Sequence, residues 1–162
     1  LEKCTQVFAE YLQGQIKAGV EAIQIFDTWG SALDYQAYQA FSFQYIDRLV
    51  SSVAADVPVI LYTKNSMQLL PFINQLNIQG LSCDWTTQLA DLRSKCRTDI
   101  AIQGNLDPTV LYSQPDALKQ AVLENLNPLK NDPGYIFNLG HGILPDISPD
   151  HVEALVEVVR SV

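Results

Sequence analysis

The side chains best suited to chemistry follow short apolar runs of the sequence. Asp27 and Thr28 follow the first run, Lys64 follows the second, and His141 follows the fifth inside Asn138–Gly142, which reads Asn-Leu-Gly-His-Gly. Two flanking glycines allow the backbone to turn sharply and to present the imidazole without obstruction. Because imidazole donates to carboxylates and moves protons near neutral pH, His141 is a candidate functional residue.

The other polar residues at run ends each have an ordinary structural interpretation. Thr28 could give its hydroxyl to a ligand carboxylate or could only stabilise its own loop. Asp84 and Asp107 could act as acid or base, but each also suits the cap of a following helix, and the cap is favoured. Lys64 could bind an anion, although a solvated lysine is commoner. His151 is predicted to lie on the surface of the last helix.

Five apolar runs alternate with amphipathic stretches, which predicts strands separated by helices. The second helix is predicted as one element from Tyr35 to Val53, and later helices are predicted to be capped by Ser113 and Ser148. Strands that are apolar throughout and are each followed by a helix indicate a parallel sheet covered by helices. The predicted strands are residues 22–26, 57–62, 80–85, 99–103 and 135–139. Five of their isoleucines are expected to face the interior of a barrel: Ile23, Ile25, Ile60, Ile102 and Ile136.

Two architectures fit this pattern. A complete doubly wound sheet of the flavodoxin type has about this length. A TIM (β/α)8 barrel needs about 250 residues, so five βα units would be only its C-terminal portion. No GxGxxG or GxxxxGK[ST] motif is present, which counts against a nucleotide-binding sheet. The chain also starts at Leu1, without Met and within a predicted helix, so residues 1–162 are predicted to be a single-domain fragment from the C-terminal part of a barrel.

Composition narrows the function classes. The 162 residues are 48% hydrophobic and 17% charged, as in globular proteins. Ten Lys and Arg against eighteen Asp and Glu give a net charge of −8, which argues against nucleic-acid or anionic-membrane partners. No apolar run approaches the roughly 18 residues of a membrane span. Three scattered cysteines form no disulfide framework or zinc motif, and a cytoplasmic location is expected.

Four ordered segments resemble motifs of the uroporphyrinogen decarboxylase family. Ile23–Trp29 is similar to the family's QLFDSW or QIFDTW segment, and Asp84–Thr86 is similar to LDWT, with Cys83 in place of the leucine. Ile102–Pro108 resembles LQGNLDP, and Phe137–Asp146 matches FNLGHGILPD throughout.

The resemblance implies a (β/α)8 barrel that is usually a cytoplasmic homodimer. Its reaction removes CO2 from the four acetate arms of uroporphyrinogen to give coproporphyrinogen in haem biosynthesis, with no metal or organic cofactor. A ring carbon is protonated first, so that the cationic pyrrole accepts the electrons that CO2 leaves behind. Thr28 and His141 match substrate-binding positions of the family, Phe26 matches a cleft aromatic, and no catalytic residue is implied here.

The family's arginine motif, pyrrole-binding aspartate and cleft tyrosine belong to its N-terminal part, which this chain lacks. The chain alone is therefore expected to be inactive, although its parent would be a carboxy-lyase. Two alternatives are a related barrel methyltransferase and a non-catalytic flavodoxin-like module. The methyltransferase would need a zinc-bound thiolate with His and Cys ligands near strand ends, and only Cys83 lies close to one.

Overall fold

The computed structural model describes residues 1–162 and is built around one sheet of five parallel strands. Each strand pairs with the next strand in sequence, in the spatial order β1-β2-β3-β4-β5. The five predicted strands are confirmed, with small shifts at their ends. They are β1 Ile23–Asp27, β2 Val59–Thr63, β3 Gly80–Cys83, β4 Ala101–Leu106 and β5 Tyr135–Leu139.

The strand order decides between the two architectures. In a flavodoxin-type sheet the first strand lies between the second and the third, so the winding reverses direction. Here the winding never reverses, as in a (β/α)8 barrel, where every strand neighbours its successor. The flavodoxin-like alternative is therefore wrong, and the five strands form part of a barrel wall.

Seven α-helices precede, connect and follow the strands. None of them is both long enough and apolar enough to cross a membrane. The helices are α1 Glu2–Lys17, α2 Tyr35–Tyr38, α3 Gln44–Val53, α4 Ser66–Ile73, α5 Leu89–Lys95, α6 Pro115–Leu126 and α7 Pro149–Arg160.

The single helix predicted from Tyr35 to Val53 is interrupted. A π-helical segment, Gln39–Phe43, separates α2 from α3. The extra residue in each π turn rotates the following side chains, so Phe41 is exposed instead of continuing the predicted apolar stripe. Ser42, in the same segment, donates a hydrogen bond to the Asp27 carboxylate at 2.9 Å.

Of the two predicted helix caps, one is confirmed and one is wrong. Ser148 caps α7 by accepting from the Asp150 N–H, as predicted. The predicted cap at Ser113 is wrong, because α6 begins at Pro115 and its N-cap position is Gln114, one residue after the serine. A cap side chain must reach the second or third helical N–H, and Ser113 lies one position too early.

The sheet separates an outer face under the helices from an inner, concave face. Side chains alternate along a strand, so the fully buried Leu61, Leu81 and Ile102 face the helices. Ile23 and Ile25 share this outer face. The predicted inward orientation is therefore wrong for Ile23, Ile25 and Ile102 and confirmed for Ile60 and Ile136. The inner face carries Gln24, Phe26, Ile60, Tyr62, Ser82, Gln103, Ile136 and Asn138.

A candidate ligand-binding cavity at the carboxyl ends of the strands

A cavity of about 440 Å³ opens on the inner face of the sheet, where β1, β2, β3 and β5 approach their carboxyl ends. It contains both residues that the sequence singled out, Thr28 and His141, together with Phe26. Their role in binding substrate stays a prediction, but the fold places them around one space. The lining residues are Gln24, Phe26, Thr28, Tyr62, Ser82, Asn138, Leu139, His141 and Gly142.

The His141 ring lies between two aromatic side chains. Its centroid is 6.2 Å from that of Tyr62 and 6.3 Å from that of Trp85, and both ring pairs are nearly perpendicular. Such edge-to-face contacts fix the plane of a ring without consuming its polar atoms. The imidazole nitrogens have no hydrogen-bond partner within the protein, so they are free to bind a ligand.

Gly140 holds the His141 loop in place from three sides. Its N–H donates to the Leu106 carbonyl at 2.7 Å, and its own carbonyl accepts from the Tyr62 hydroxyl at 2.9 Å. A Cβ at this position would lie 2.6 Å from the Trp85 backbone nitrogen, which only glycine avoids. Gly140 thus allows the loop after β5 to lie close to the loop after β3. The Tyr62 hydroxyl joins β2 to the same loop.

Asp84 stabilises a loop and does not point its carboxylate into the cavity. It is buried and accepts from the hydroxyls of Thr86 and Thr87 at 3.0 and 3.3 Å. The buried Asn105 amide reinforces this loop by donating to the carbonyls of Asp84 and Thr87. The predicted helix cap at Asp84 is wrong, because the N-cap position of α5 is Gln88; Asp84 stabilises the preceding loop instead.

Three other candidates from the sequence also have structural roles. Asp107 accepts from the Thr109 N–H at 2.8 Å and caps the short 3-10 helix that follows. Lys64 places its ammonium 4.9 Å from the centroid of the Trp29 ring, which is a cation–π contact. His151 is half-buried and contacts the Leu111 carbonyl, so the prediction of a surface histidine is wrong.

Cys83 does not offer the thiolate that the methyltransferase alternative needs. Its side chain is fully buried in the outer core, and its sulfur contacts the Gln103 carbonyl at 3.6 Å. Burial, with the nearby Asp84 charge, raises the pKa of the Cys83 thiol to about 12. The end of β3 therefore offers the cavity no thiolate that could bind zinc.

Three cavity residues were missed by the sequence-based candidates: Gln24, Tyr62 and Ser82. A signal existed for the first of them, because Gln24 interrupts the apolar strand at an alternate position. Tyr62 gave no such signal, since an aromatic residue at the end of an apolar strand ordinarily packs in the core.

The cavity lining is neutral and rich in hydrogen-bond donors. None of its nine residues is Asp, Glu, Lys or Arg, although the chain carries a net charge of −8. The Asn138 side-chain oxygen already accepts from the Leu139 N–H at 2.8 Å, which leaves the amide hydrogens available. A barrel-type sheet with a cavity at its carboxyl ends places the chain among the (β/α)-barrel proteins, in which ligands bind at that end.

Comparison with known proteins identifies the family. A sequence model for "Uroporphyrinogen decarboxylase (URO-D)" matches residues 1–162. The uroporphyrinogen decarboxylase of Ruthia magnifica is 40% identical over 165 residues, which cover 99% of this chain and 48% of that protein. That of Pseudomonas putida KT2440 is 42% identical, with 99% and 47% covered. The chain belongs to the uroporphyrinogen decarboxylase family and spans about half the length of these curated relatives.

Solved structures agree on the fold. A methyltransferase from Methanosarcina mazei has a TM-score of 0.83 at 21% identity, over 97% of this chain and 47% of that chain. A putative vitamin-B12 independent methionine synthase from Listeria monocytogenes has a TM-score of 0.67 at 18% identity, over 96% and 52%. At these identities the likeness concerns the architecture alone.

Buried groups with raised pKa values predict a loss of stability at alkaline pH. Burial is the main cause that raises the pKa of Tyr62 to about 12, as it does for Cys83. The ordinary values are 10.0 and 9.0, so the folded state keeps protons that the unfolded state releases. The free energy of unfolding should be fully retained below about pH 9 and fall between about pH 9 and about pH 12.

Denaturant unfolding followed by circular dichroism across this pH range checks the prediction. Tyr62→Phe should flatten the decline, because one of the protons that couple folding to pH is removed. A midpoint that stays constant to about pH 12 would contradict it.

Proposed function

We propose that this chain forms the C-terminal part of a uroporphyrinogen decarboxylase, and we call the complete barrel the full-length protein. Its reaction is the release of CO2 from the four acetate arms of uroporphyrinogen to give coproporphyrinogen in porphyrin biosynthesis. The observation that carries the proposal is the shared cavity of Thr28 and His141, which match the substrate-binding positions of the family. Curated relatives at 40% and 42% identity carry the same activity in their names.

In this proposal the chain contributes binding and orientation. The Thr28 hydroxyl and an N–H of His141 donate to substrate carboxylates, in hydrogen bonds strengthened by the ligand's charge. Phe26 and Tyr62, whose ring centroids lie 5.6 Å apart, form an apolar wall beside them. Fixing the carboxylates holds one pyrrole in place while its ring carbon is protonated and its acetate arm loses CO2.

The neutral lining suits an acidic ligand. Acidic side chains near the cavity would repel a polycarboxylate, and none lines it. The family resemblance places the cations that balance most of the ligand's charge in the other part of the barrel. The resemblance also supports a cytoplasmic homodimer that uses no metal or organic cofactor, and these points stay predictions.

The test is anaerobic incubation of the full-length protein with uroporphyrinogen, with products separated after oxidation and counted by their carboxylates. We expect stepwise loss of four carboxylates and accumulation of coproporphyrinogen. A well-folded protein that leaves uroporphyrinogen unchanged would contradict the proposal.

Removal of the Tyr62 hydroxyl is predicted to have a smaller effect than removal of a substrate-binding side chain. This hydroxyl contacts the His141 loop only through the Gly140 carbonyl. Tyr62→Phe keeps the ring but removes one buried hydrogen bond, so we expect a loss of about 1 kcal/mol in unfolding free energy. We also expect a several-fold lower kcat/KM, since the loop that carries His141 loses one of its fixed points.

The matched control is Tyr35→Phe, which removes an exposed hydroxyl that has no hydrogen-bond partner. Unfolding and steady-state kinetics measured on both variants check the prediction. Equal behaviour of the two variants would show that the Tyr62 hydroxyl does not position the loop.

A further inference from the structure

The floor of the cavity carries a hydrogen-bonded set of polar side chains that lies apart from Thr28 and His141. Gln103 on β4 is buried, and its Nε2 donates to Ser82 Oγ at 3.0 Å and to Gln24 Oε1 at 3.3 Å. The register of the sheet pairs Ser82 directly with Gln103. Three strands are thus joined across the concave face by one amide group.

This arrangement leaves hydrogen-bond donors free to face the cavity. An amide nitrogen has two hydrogens, and Gln103 uses both of them on its neighbours. The side-chain oxygens of Gln24 and Ser82 each accept one of these hydrogen bonds. The amide hydrogens of Gln24 and the hydroxyl hydrogen of Ser82 have no partner in the protein, and both residues line the cavity.

We propose that Gln24 and Ser82 form a carboxylate subsite at the floor of the cavity, and that Gln103 is its positioning residue. A carboxylate accepts several hydrogen bonds at once, and neutral donors suit it where no acidic group is near. The inference rests on the proposed function, and it assigns a carboxylate other than the one held by Thr28 and His141.

The experiment measures kcat/KM for uroporphyrinogen with the full-length protein and three variants. Ser82→Ala removes one donor and should lower kcat/KM about tenfold, the usual scale for a hydrogen bond to a charged group. Gln24→Glu places a like charge against the ligand and should lower it further. Gln68→Glu is the matched control, because it adds the same charge on the exposed surface of α4, where the ligand is not bound.

The pH profile separates a binding role from a structural one. The defect of Gln24→Glu should shrink as pH falls toward the ordinary carboxyl range near pH 4–5, because protonation removes the new charge. A purely structural role would lower the melting temperature of Ser82→Ala and leave kcat/KM unchanged, which would overturn the inference.

The outcomes also separate this inference from the proposed function. An active wild-type protein whose Ser82→Ala and Gln24→Glu variants match Gln68→Glu would overturn the subsite alone. A folded wild-type protein with no activity on uroporphyrinogen would overturn the proposed function and the subsite with it. Should Gln24→Glu fail to fold, Ser82→Ala decides the question by itself.

Discussion

Residues 1–162 expressed alone are expected to release no CO2 from uroporphyrinogen and to self-associate. The sheet ends in two open edges, β1 and β5, whose backbone groups lack a neighbouring strand. A mostly apolar groove of about 360 Å³ runs beside β1 and contains Phe8, Tyr11 and Phe41, all of which are exposed. Large contiguous apolar surfaces of this kind promote association.

The expected loss of activity has a separate reason. The cavity contains no Lys or Arg, whereas a polycarboxylate needs cationic partners to bind tightly. Sedimentation, dye binding to apolar surface and product analysis on residues 1–162, with the full-length protein as the control, check both expectations. A monomeric, cooperatively melting and active preparation would show that the five-stranded unit is functionally complete.

The second large effect is expected for His141→Ala in the full-length protein. A charge-assisted hydrogen bond contributes about 1.5–3 kcal/mol, so kcat/KM for uroporphyrinogen should fall about tenfold to about a hundredfold. The side chain is exposed and loses only its edge contacts with Tyr62 and Trp85, so the unfolding free energy should fall by about 1 kcal/mol or less.

His151→Ala is the matched control, because it removes the other histidine, which lies at the start of α7 and outside the cavity. Steady-state kinetics and denaturant unfolding on both variants give the comparison. Destabilisation of His141→Ala by several kcal/mol with unchanged kcat/KM would mark His141 as a structural residue.

The sequence predicted the strands well because each is a continuous apolar run bounded by polar residues. It could not choose the strand order, since both architectures alternate strands and helices, and only the pairing of each strand with its successor excludes the flavodoxin type. The faces of the strands were predicted only in part, since Ile60 and Ile136 do face inward. Ile23 and Ile102 pack under the helices, and the polar Gln24 and Gln103 beside them occupy the inner face.

The residues of the candidate site were also predictable only in part. Thr28 and His141 could be proposed because loop position and motif resemblance agree on them. Tyr62 and Ser82 could not, because their importance comes from partners far away in sequence: the Gly140 carbonyl for Tyr62 and the Gln103 amide for Ser82. Contacts between distant strands follow from register and winding, which local patterns do not encode.

We propose that this cavity binds substrate carboxylates through Thr28 and His141. A crystal structure of the full-length protein with coproporphyrinogen, grown without oxygen, tests it most directly. We predict a ligand carboxylate within about 3.2 Å of Thr28 Oγ1 or of a His141 ring nitrogen, with a pyrrole against Phe26. A tetrapyrrole bound elsewhere, with both side chains in contact with solvent only, would contradict the account.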